Sequence, residues 1–86
     1  MLEEKVVIAN ATGLHARPAA KLVETCNPFK SSVTLLAGEK QVNAKSIMSV
    51  LMGSIGTGTE VTVQVEGEDE ETAFAAVSEY LHNLPD

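Results

Sequence analysis

Apolar residues recur along this chain with two different periods, and the changes of period predict alternating strands and helices. Valine occupies every second position from 61 to 65, which is typical of a strand with one buried face. Near the end of the chain, apolar residues instead follow a helical spacing. This predicted stripe consists of Ala73, Val77, Tyr80, Leu81 and Leu84. The predicted strands are 5–9, 32–37, 40–43 and 60–66, and the predicted helices are 19–26, 47–52 and 70–81.

The order of these elements, β-α-β-β-α-β-α, predicts an α+β fold. It suits a two-layer sandwich in which a four-stranded antiparallel sheet carries three helices on one face. Residues 32–37 and 40–43 flank Gly38-Glu39, and a two-residue connection of this kind indicates a β-hairpin. No linker or repeat interrupts the pattern, so we expect a single domain over residues 1–86. Ferredoxin-like modules can share this order, so it does not identify a function.

Charge and composition exclude several classes of function. Twelve acidic and six basic side chains leave a net charge of −6, which argues against nucleic acid because its phosphates require a basic face. The first residues are acidic and no apolar run approaches membrane-spanning length, so we expect a cytoplasmic protein without membrane insertion. A single cysteine cannot form an internal disulfide, and we interpret Cys26 as a small apolar helix residue. No Cys/His cluster has the spacing of a metal site, so we expect neither metal nor cofactor.

Two polar features are interpreted as structural. The acidic residues between 66 and 71 are assigned to a turn and a helix N-terminus, where negative charge is favourable, and to a solvated face. His82 has no arginine and no helix start beside it, so we expect a surface or capping residue.

The most informative motif is Gly-Leu-His-Ala-Arg-Pro-Ala at residues 13–19. Pro18 lacks an N–H and is tolerated in the first turn of a helix, which predicts His15 at or next to the N-cap. The free amides of Ala16 and Arg17 should then point outward at the positive end of the helix dipole, as in an anion site. Arg17 can also hold phosphate oxygens with its planar fork. A lone histidine is more often an ordinary surface residue, but this setting favours one that carries a phosphoryl group.

A second motif, Val-Asn-Ala-Lys-Ser-Ile-Met, occupies residues 42–48. Its serine, Ser46, directly precedes the short predicted helix and is expected to cap it through the side-chain oxygen. That helix has too many apolar residues for one buried stripe on so few turns. Some of them must therefore face solvent or a partner.

The two motifs, at this separation in a chain of this length, resemble the HPr family, the histidine-containing phosphocarriers of the bacterial phosphotransferase system. The resemblance covers essentially the whole chain and implies an open-faced sheet with the active histidine at the start of the first helix. It implies that His15 accepts a phosphoryl group on Nδ1 from enzyme I, which draws on phosphoenolpyruvate. By the same resemblance, His15 would then pass the group to the A domains of sugar-specific enzymes II. Arg17 would stabilise the phosphate, and the protein would be a carrier rather than an enzyme.

The resemblance also assigns roles to the second motif. In one branch of the family, a dedicated ATP-dependent kinase phosphorylates the serine that corresponds to Ser46, which slows transfer by enzyme I and creates a partner for a transcriptional regulator. Ile47, Met48 and Leu51 would protrude beside the active site as a docking patch. The remaining apolar helix residues, Val50 and Met52, are assigned to the core.

Two other functions stay open at this point. The chain can be a nitrogen-linked or regulatory paralogue within the phosphotransferase network, although the presence of His15 disfavours a purely regulatory one. It can also be a non-catalytic module that binds an anion, in which His15 merely contacts the ligand. A stable phosphohistidine would contradict the second alternative.

Overall fold

The computed structural model describes residues 1–11 and 13–84, which build one antiparallel sheet and a layer of helices. The strands in this part of the chain are β1 (Leu2–Val7), β2 (Ser32–Ala37), β3 (Lys40–Asn43) and β4 (Glu60–Glu66), and the helices are α1 (Ala16–Cys26), α2 (Ile47–Met52) and α3 (Glu70–His82). This arrangement confirms the predicted α+β fold. Among the described residues, no helix combines the length and apolar character needed to cross a membrane.

The sheet has the strand order β1-β4-β2-β3, so β4 lies inside it between β1 and β2. The alternating valines of β4 are fully buried on one face, and the register places Val63 between Glu4 of β1 and Leu35 of β2. β2 and β3 form the predicted hairpin, closed by the Ala37–Lys40 pair. Gly38, in its turn, has a φ of +65°, a conformation that glycine adopts readily.

The helices bury their apolar stripes on one another and on the sheet. Ala19, Leu22 and Cys26 of α1 are buried. The predicted stripe of α3 is confirmed, with three residues buried and two packed against the core at half-burial; the stripe is Ala73, Val77, Tyr80, Leu81 and Leu84. Burial raises the pKa of the Cys26 thiol to about 12, so this cysteine is an inert packing residue, as expected.

Several predicted boundaries were wrong. β1 covers Leu2–Val7 rather than 5–9, because the ladder with β4 ends at Val7 and Ile8 bonds to the loop before β4. The helical spacing from residue 19 covers only part of α1, which begins at Ala16, as the predicted N-cap at His15 requires, with Pro18 inside its first turn. α3 ends at His82 rather than residue 81. Thr12 of the predicted loop 10–13, and residues 85 and 86 of the predicted domain, lie outside the described residues.

Candidate functional site

The backbone that leads to His15 is fastened to the loop between α2 and β4. The Ile8 amide donates to the Thr59 carbonyl at 2.9 Å, and the Ile8 carbonyl accepts from the Gly58 amide at 2.6 Å. Further along, the Leu14 amide donates to the Ile55 carbonyl at 2.8 Å. Paired amides and carbonyls of this kind satisfy the backbone of both segments. Leu14, the residue immediately before His15, is therefore held in place by its hydrogen bond to Ile55.

At Gly13 these two segments lie too close together to admit a side chain. A Cβ at this position would lie 2.6 Å from the Gly56 Cα and 2.7 Å from the Ile55 oxygen. Its φ of +67° also lies in the left-handed region that favours glycine. The Asn10 side-chain amide donates to the Gly13 carbonyl at 3.0 Å, which closes the turn from the other side. Glycine is thus required here both for its conformation and for its missing side chain.

His15 occupies the N-cap of α1, as predicted. Its backbone is extended, with φ −84° and ψ −167°, and its carbonyl accepts the Ala19 amide at 2.8 Å. The imidazole makes no capping hydrogen bond to the helix and is exposed. Because Pro18 has no N–H, the first turn presents the amides of Ala16 and Arg17, for which no acceptor is found among the described residues.

The start of α1, beside His15, is positively charged. Arg17 is exposed, and within residues 1–11 and 13–84 no carboxylate lies within ion-pair distance of it. The first turn is fixed from behind by Tyr80, whose hydroxyl donates to the Pro18 carbonyl at 3.0 Å. Two amides, the positive end of the helix and a guanidinium therefore meet beside an imidazole. This combination suits a phosphate bound to, or delivered to, that ring.

An open depression of about 290 Å³ adjoins the imidazole. Leu51 lines it, which brings α2 to the His15 end of α1. Ser54 also lines it and has a φ of +50°, a region that non-glycine residues seldom occupy. The sequence does not predict that the loop after α2 lines this depression, because no local pattern places that loop beside His15. The complete lining consists of Leu14, His15, Leu51, Ser54, Ile55 and Gly56.

Ser46 caps α2, as predicted. Its Oγ accepts the Ser49 amide at 3.3 Å, and its backbone carbonyl accepts the Val50 amide at 3.0 Å. Ser49 is tied in turn to β3, since its Oγ accepts the Asn43 amide at 2.9 Å. Ser46 is half-buried, so the start of α2 is both structured and partly open to solvent.

α2 buries only one of its apolar residues, Val50. Met52 is 75% exposed and Met48 is 64% exposed, so the assignment of Met52 to the core was wrong. α2 has only six residues, and only one of its apolar side chains points at the core. Met48 and Met52 lie one turn apart and share the outward face of the helix. We call the exposed apolar residues of this helix the α2 surface: Ile47, Met48, Leu51 and Met52.

α2 runs alongside α1 in the opposite direction. At the end of α1, the Asn27 side-chain amide donates to the carbonyl of Lys45 at 3.4 Å, one residue before Ser46. At the start of α1, Leu51 and His15 line the same depression. α1 has 11 residues and is about 16 Å long at 1.5 Å per residue. The structure thus brings Leu51 to His15 and leaves Ser46 at the opposite end of the α2 surface.

The late acidic cluster lies at a turn and at the N-terminus of α3, as predicted, but part of it is not a solvated face. Asp69, the N-cap of α3, accepts the Ser31 hydroxyl at 2.5 Å and the amides of Lys30 and Ser31 at 2.9 Å each. The hydrogen bond from the Ser31 hydroxyl is the main cause that lowers the pKa of Asp69 to about 2, and the bond from the Lys30 amide is the next. His82, in contrast, is the exposed residue expected, with Nε2 at 3.3 Å from the Glu4 carboxylate.

This chain is similar to known proteins over nearly its whole length. Residues 2–83 match the protein family described as "PTS HPr component phosphorylation site". The "Phosphocarrier protein HPr" of Xylella fastidiosa strain 9a5c is 47% identical over 83 residues, which are 96% of this chain and 93% of that protein. The "HPr-like protein Crh" of Bacillus subtilis is 46% identical over 81 residues, or 94% of this chain and 95% of that one. The crystal structure of HPr-C-His from Thermoanaerobacter tengcongensis superposes with a TM-score of 0.91 at 41% identity and covers 95% of this chain and 92% of its own.

Proposed function

This chain belongs to the HPr family of phosphocarriers of the phosphotransferase system, and on that premise we propose that His15 carries the phosphoryl group. The group would come from phosphorylated enzyme I, which is charged by phosphoenolpyruvate, and would pass to the A domains of sugar-specific enzymes II. The observation that supports this most is the exposed imidazole at the N-cap of α1, beside two amides without an acceptor among the described residues.

Transfer onto His15 exchanges the donor's bond to phosphorus for a phosphorus–nitrogen bond. The lone pair of Nδ1 attacks the phosphorus atom, the bond from phosphorus to the donor atom breaks, and its electron pair stays with the donor. The imidazole of His15 then loses its other N–H proton and the donor group takes up a proton, so charge balances. A phosphoramidate of this kind has a high transfer potential, because a protonated imidazole is a good leaving group.

The surroundings of His15 suit a carrier that must give up its phosphate again. The amides of Ala16 and Arg17 and the helix dipole stabilise negative charge. The guanidinium of Arg17 neutralises part of it and orients the phosphoryl group for in-line transfer. This cradle is exposed, and surface charges are screened by water and salt, so the phosphate is held only moderately. A partner can therefore reach the group and remove it.

We propose that both partners dock on Ile47, Met48 and Leu51, with Met52 at the margin of the contact. Leu51 and His15 line one depression, so a protein that covers this part of the α2 surface also reaches the imidazole. Exposed apolar side chains that lie together on one helix are typical of an interaction site, and methionine suits a surface that receives more than one partner.

We propose that Ser46 is a regulatory phosphorylation site, modified by an HPr kinase and then read by a transcriptional regulator. Its phosphate would lie at the start of α2, where the helix end favours negative charge. The length of α1 keeps it from touching a phosphate on His15. Phosphorylation would instead act on docking, because about two negative charges beside an apolar contact are costly to desolvate.

A regulatory paralogue is the second candidate, and one observation favours it. The relative named Crh, described as the "Catabolite Repression HPr" of Bacillus subtilis, is almost as similar to this chain as the HPr of Xylella fastidiosa, at 46% against 47% identity. The presence of His15 in its cradle favours the carrier. The rate at which His15 accepts a phosphoryl group decides between the two.

The proposal is tested by intact mass after incubation with phosphoenolpyruvate and bacterial enzyme I. We expect the wild type to gain one phosphoryl group that is lost in acid and kept in alkali, and His15→Ala to gain none. His82→Ala is the matched control, because His82 is the only other histidine of the chain and is also exposed. It should be phosphorylated like the wild type. A wild type that gains no group from an active enzyme I would contradict the carrier function and favour the regulatory paralogue.

A further inference from the structure

The methionines of this protein are open to oxidants, whereas its thiol is not. The chain has three methionines, and Met1, at 62% exposure, is as open as the two on α2. Cys26 is fully buried, and its pKa is raised to about 12 by that burial. Because oxidation of cysteine requires an accessible thiolate, an oxidant meets the thioethers first.

Two of these methionines lie on the surface that a partner must cover. Met48 and Met52 are one turn apart on α2, and both are more exposed than the other apolar residues of that helix. Met52 also borders a groove of about 490 Å³ against β3, with Lys40 and Val42 among its neighbours. Neither methionine lines the depression that adjoins His15. A change at these sulfurs thus alters the docking surface and leaves the phosphate cradle intact.

We propose that Met48 and Met52 form an oxidative modification site that controls phosphoryl transfer, an inference that rests on the proposed function. A hydroperoxide is the oxidant: its O–O bond breaks, one oxygen atom bonds to the thioether sulfur, and water or an alcohol leaves. The sulfur is oxidised to a sulfoxide and the peroxide is reduced. Methionine sulfoxide reductases, one for each epimer, restore the thioether.

Oxidation acts by making the α2 surface polar. A sulfoxide oxygen is a hydrogen-bond acceptor, and covering it with an apolar partner removes its water without supplying a donor. We expect kcat/KM for phosphorylation by enzyme I to fall about five- to thirty-fold, the scale of one unsatisfied buried polar group. The fall should appear mainly as a higher KM for this protein, because the loss is in binding rather than in the transfer step.

The experiment treats the intact protein with hydrogen peroxide, maps each added oxygen by peptide mass spectrometry and then measures phosphorylation by enzyme I. The double variant Met48→Leu/Met52→Leu is treated in parallel. Met1 is then the only thioether left. It lies immediately before β1, and its terminal amine is paired to Glu70. For each protein the rate after treatment is divided by its own rate before treatment. We expect a lowered ratio for the wild type, a ratio near one for the double variant, and recovery of the wild type by the two reductases.

Three results would overturn the inference. The first is addition of oxygen at Cys26 or Met1 while Met48 and Met52 stay reduced. The second is a wild type that carries both sulfoxides and keeps its KM. The third is a treated double variant that loses as much activity as the wild type. Failure of the proposed function is recognised separately, because the untreated wild type then accepts no phosphoryl group.

Discussion

Replacing Gly13 by alanine tests how the backbone before His15 is held. The substitution places a methyl group 2.6 Å from the Gly56 Cα, 2.7 Å from the Ile55 oxygen and 2.8 Å from the Gly56 carbonyl carbon. All three atoms belong to the backbone, so no flexible side chain can move aside. Overpacking of this kind costs about 1–3 kcal/mol. The positive φ of residue 13 adds about 1–2 kcal/mol for any residue with a Cβ.

Gly38→Ala is the matched control for this change. Gly38 has almost the same φ, +65° against +67°, but a Cβ there would have nothing within 4 Å. Both variants carry the conformational penalty and both gain the same small benefit from a stiffer unfolded chain. The difference between them therefore isolates the contact of residue 13 with the loop after α2. We expect Gly13→Ala to be less stable than Gly38→Ala by about 1–3 kcal/mol.

The assay is denaturant unfolding followed by far-ultraviolet circular dichroism, with the midpoint and slope measured for both variants. A second measurement, phosphorylation by enzyme I under conditions where both variants are folded, tests the effect on His15. Displacement of a reacting group by about 1 Å can cost about a hundredfold in rate, so Gly13→Ala should be slowed and Gly38→Ala should not. Equal unfolding midpoints for the two variants would refute the close approach of Gly13 to Gly56.

Two further predictions concern carboxylates at helix N-caps. Ser46→Asp should slow phosphorylation by enzyme I more than Ser46→Asn, because both residues cap α2 about equally well and only the aspartate brings charge to the α2 surface; equal kinetics of the two variants would contradict the docking role. Asp69, whose folded pKa lies near 2 against 3.8, stabilises the fold fully above about pH 4 and loses this contribution as the pH falls toward 2. Asp69→Asn should be less stable at neutral pH and lose less on acidification, and unfolding midpoints that fall in parallel for both proteins would contradict this role.

The parts of the site that could be predicted are those that neighbouring residues determine. Pro18 restricts where α1 can begin, so the sequence predicts His15 at the cap and free amides after it. In the same way, the position of Ser46 directly before α2 predicts that it caps this helix. Strand β4 was predictable within its bounds because its valines alternate without interruption. In each case the information lies within one turn or one strand.

The parts that could not be predicted depend on pairs of segments far apart in the chain. No residue near Ser54 or Gly56 indicates that the loop after α2 lines the depression beside His15. That contact depends on how two loops meet across the end of the sheet. The position of Asp69 at a helix N-terminus was predictable, but its hydrogen bonds were not, since its partners Lys30 and Ser31 belong to the loop between α1 and β2. The error at Met52 has another origin: apolar character indicates burial only where the core has room, and α2 buries only Val50.

The exposure of Met52 also bears on how this surface would serve the two partners proposed above. On that proposal a donor and an acceptor protein must each reach His15, and each must leave once the phosphoryl group has moved. Ile47 and Leu51 are branched and hold their shape, and Leu51 lines the depression beside the imidazole, whereas Met48 and Met52 are unbranched and can adapt to different partners. A small adaptable contact gives affinity low enough for rapid exchange, since it leaves little buried area to hold a complex together. The physical feature that made Met52 a wrong core assignment is therefore the one that suits a carrier, namely an apolar surface that stays exposed until a partner covers it.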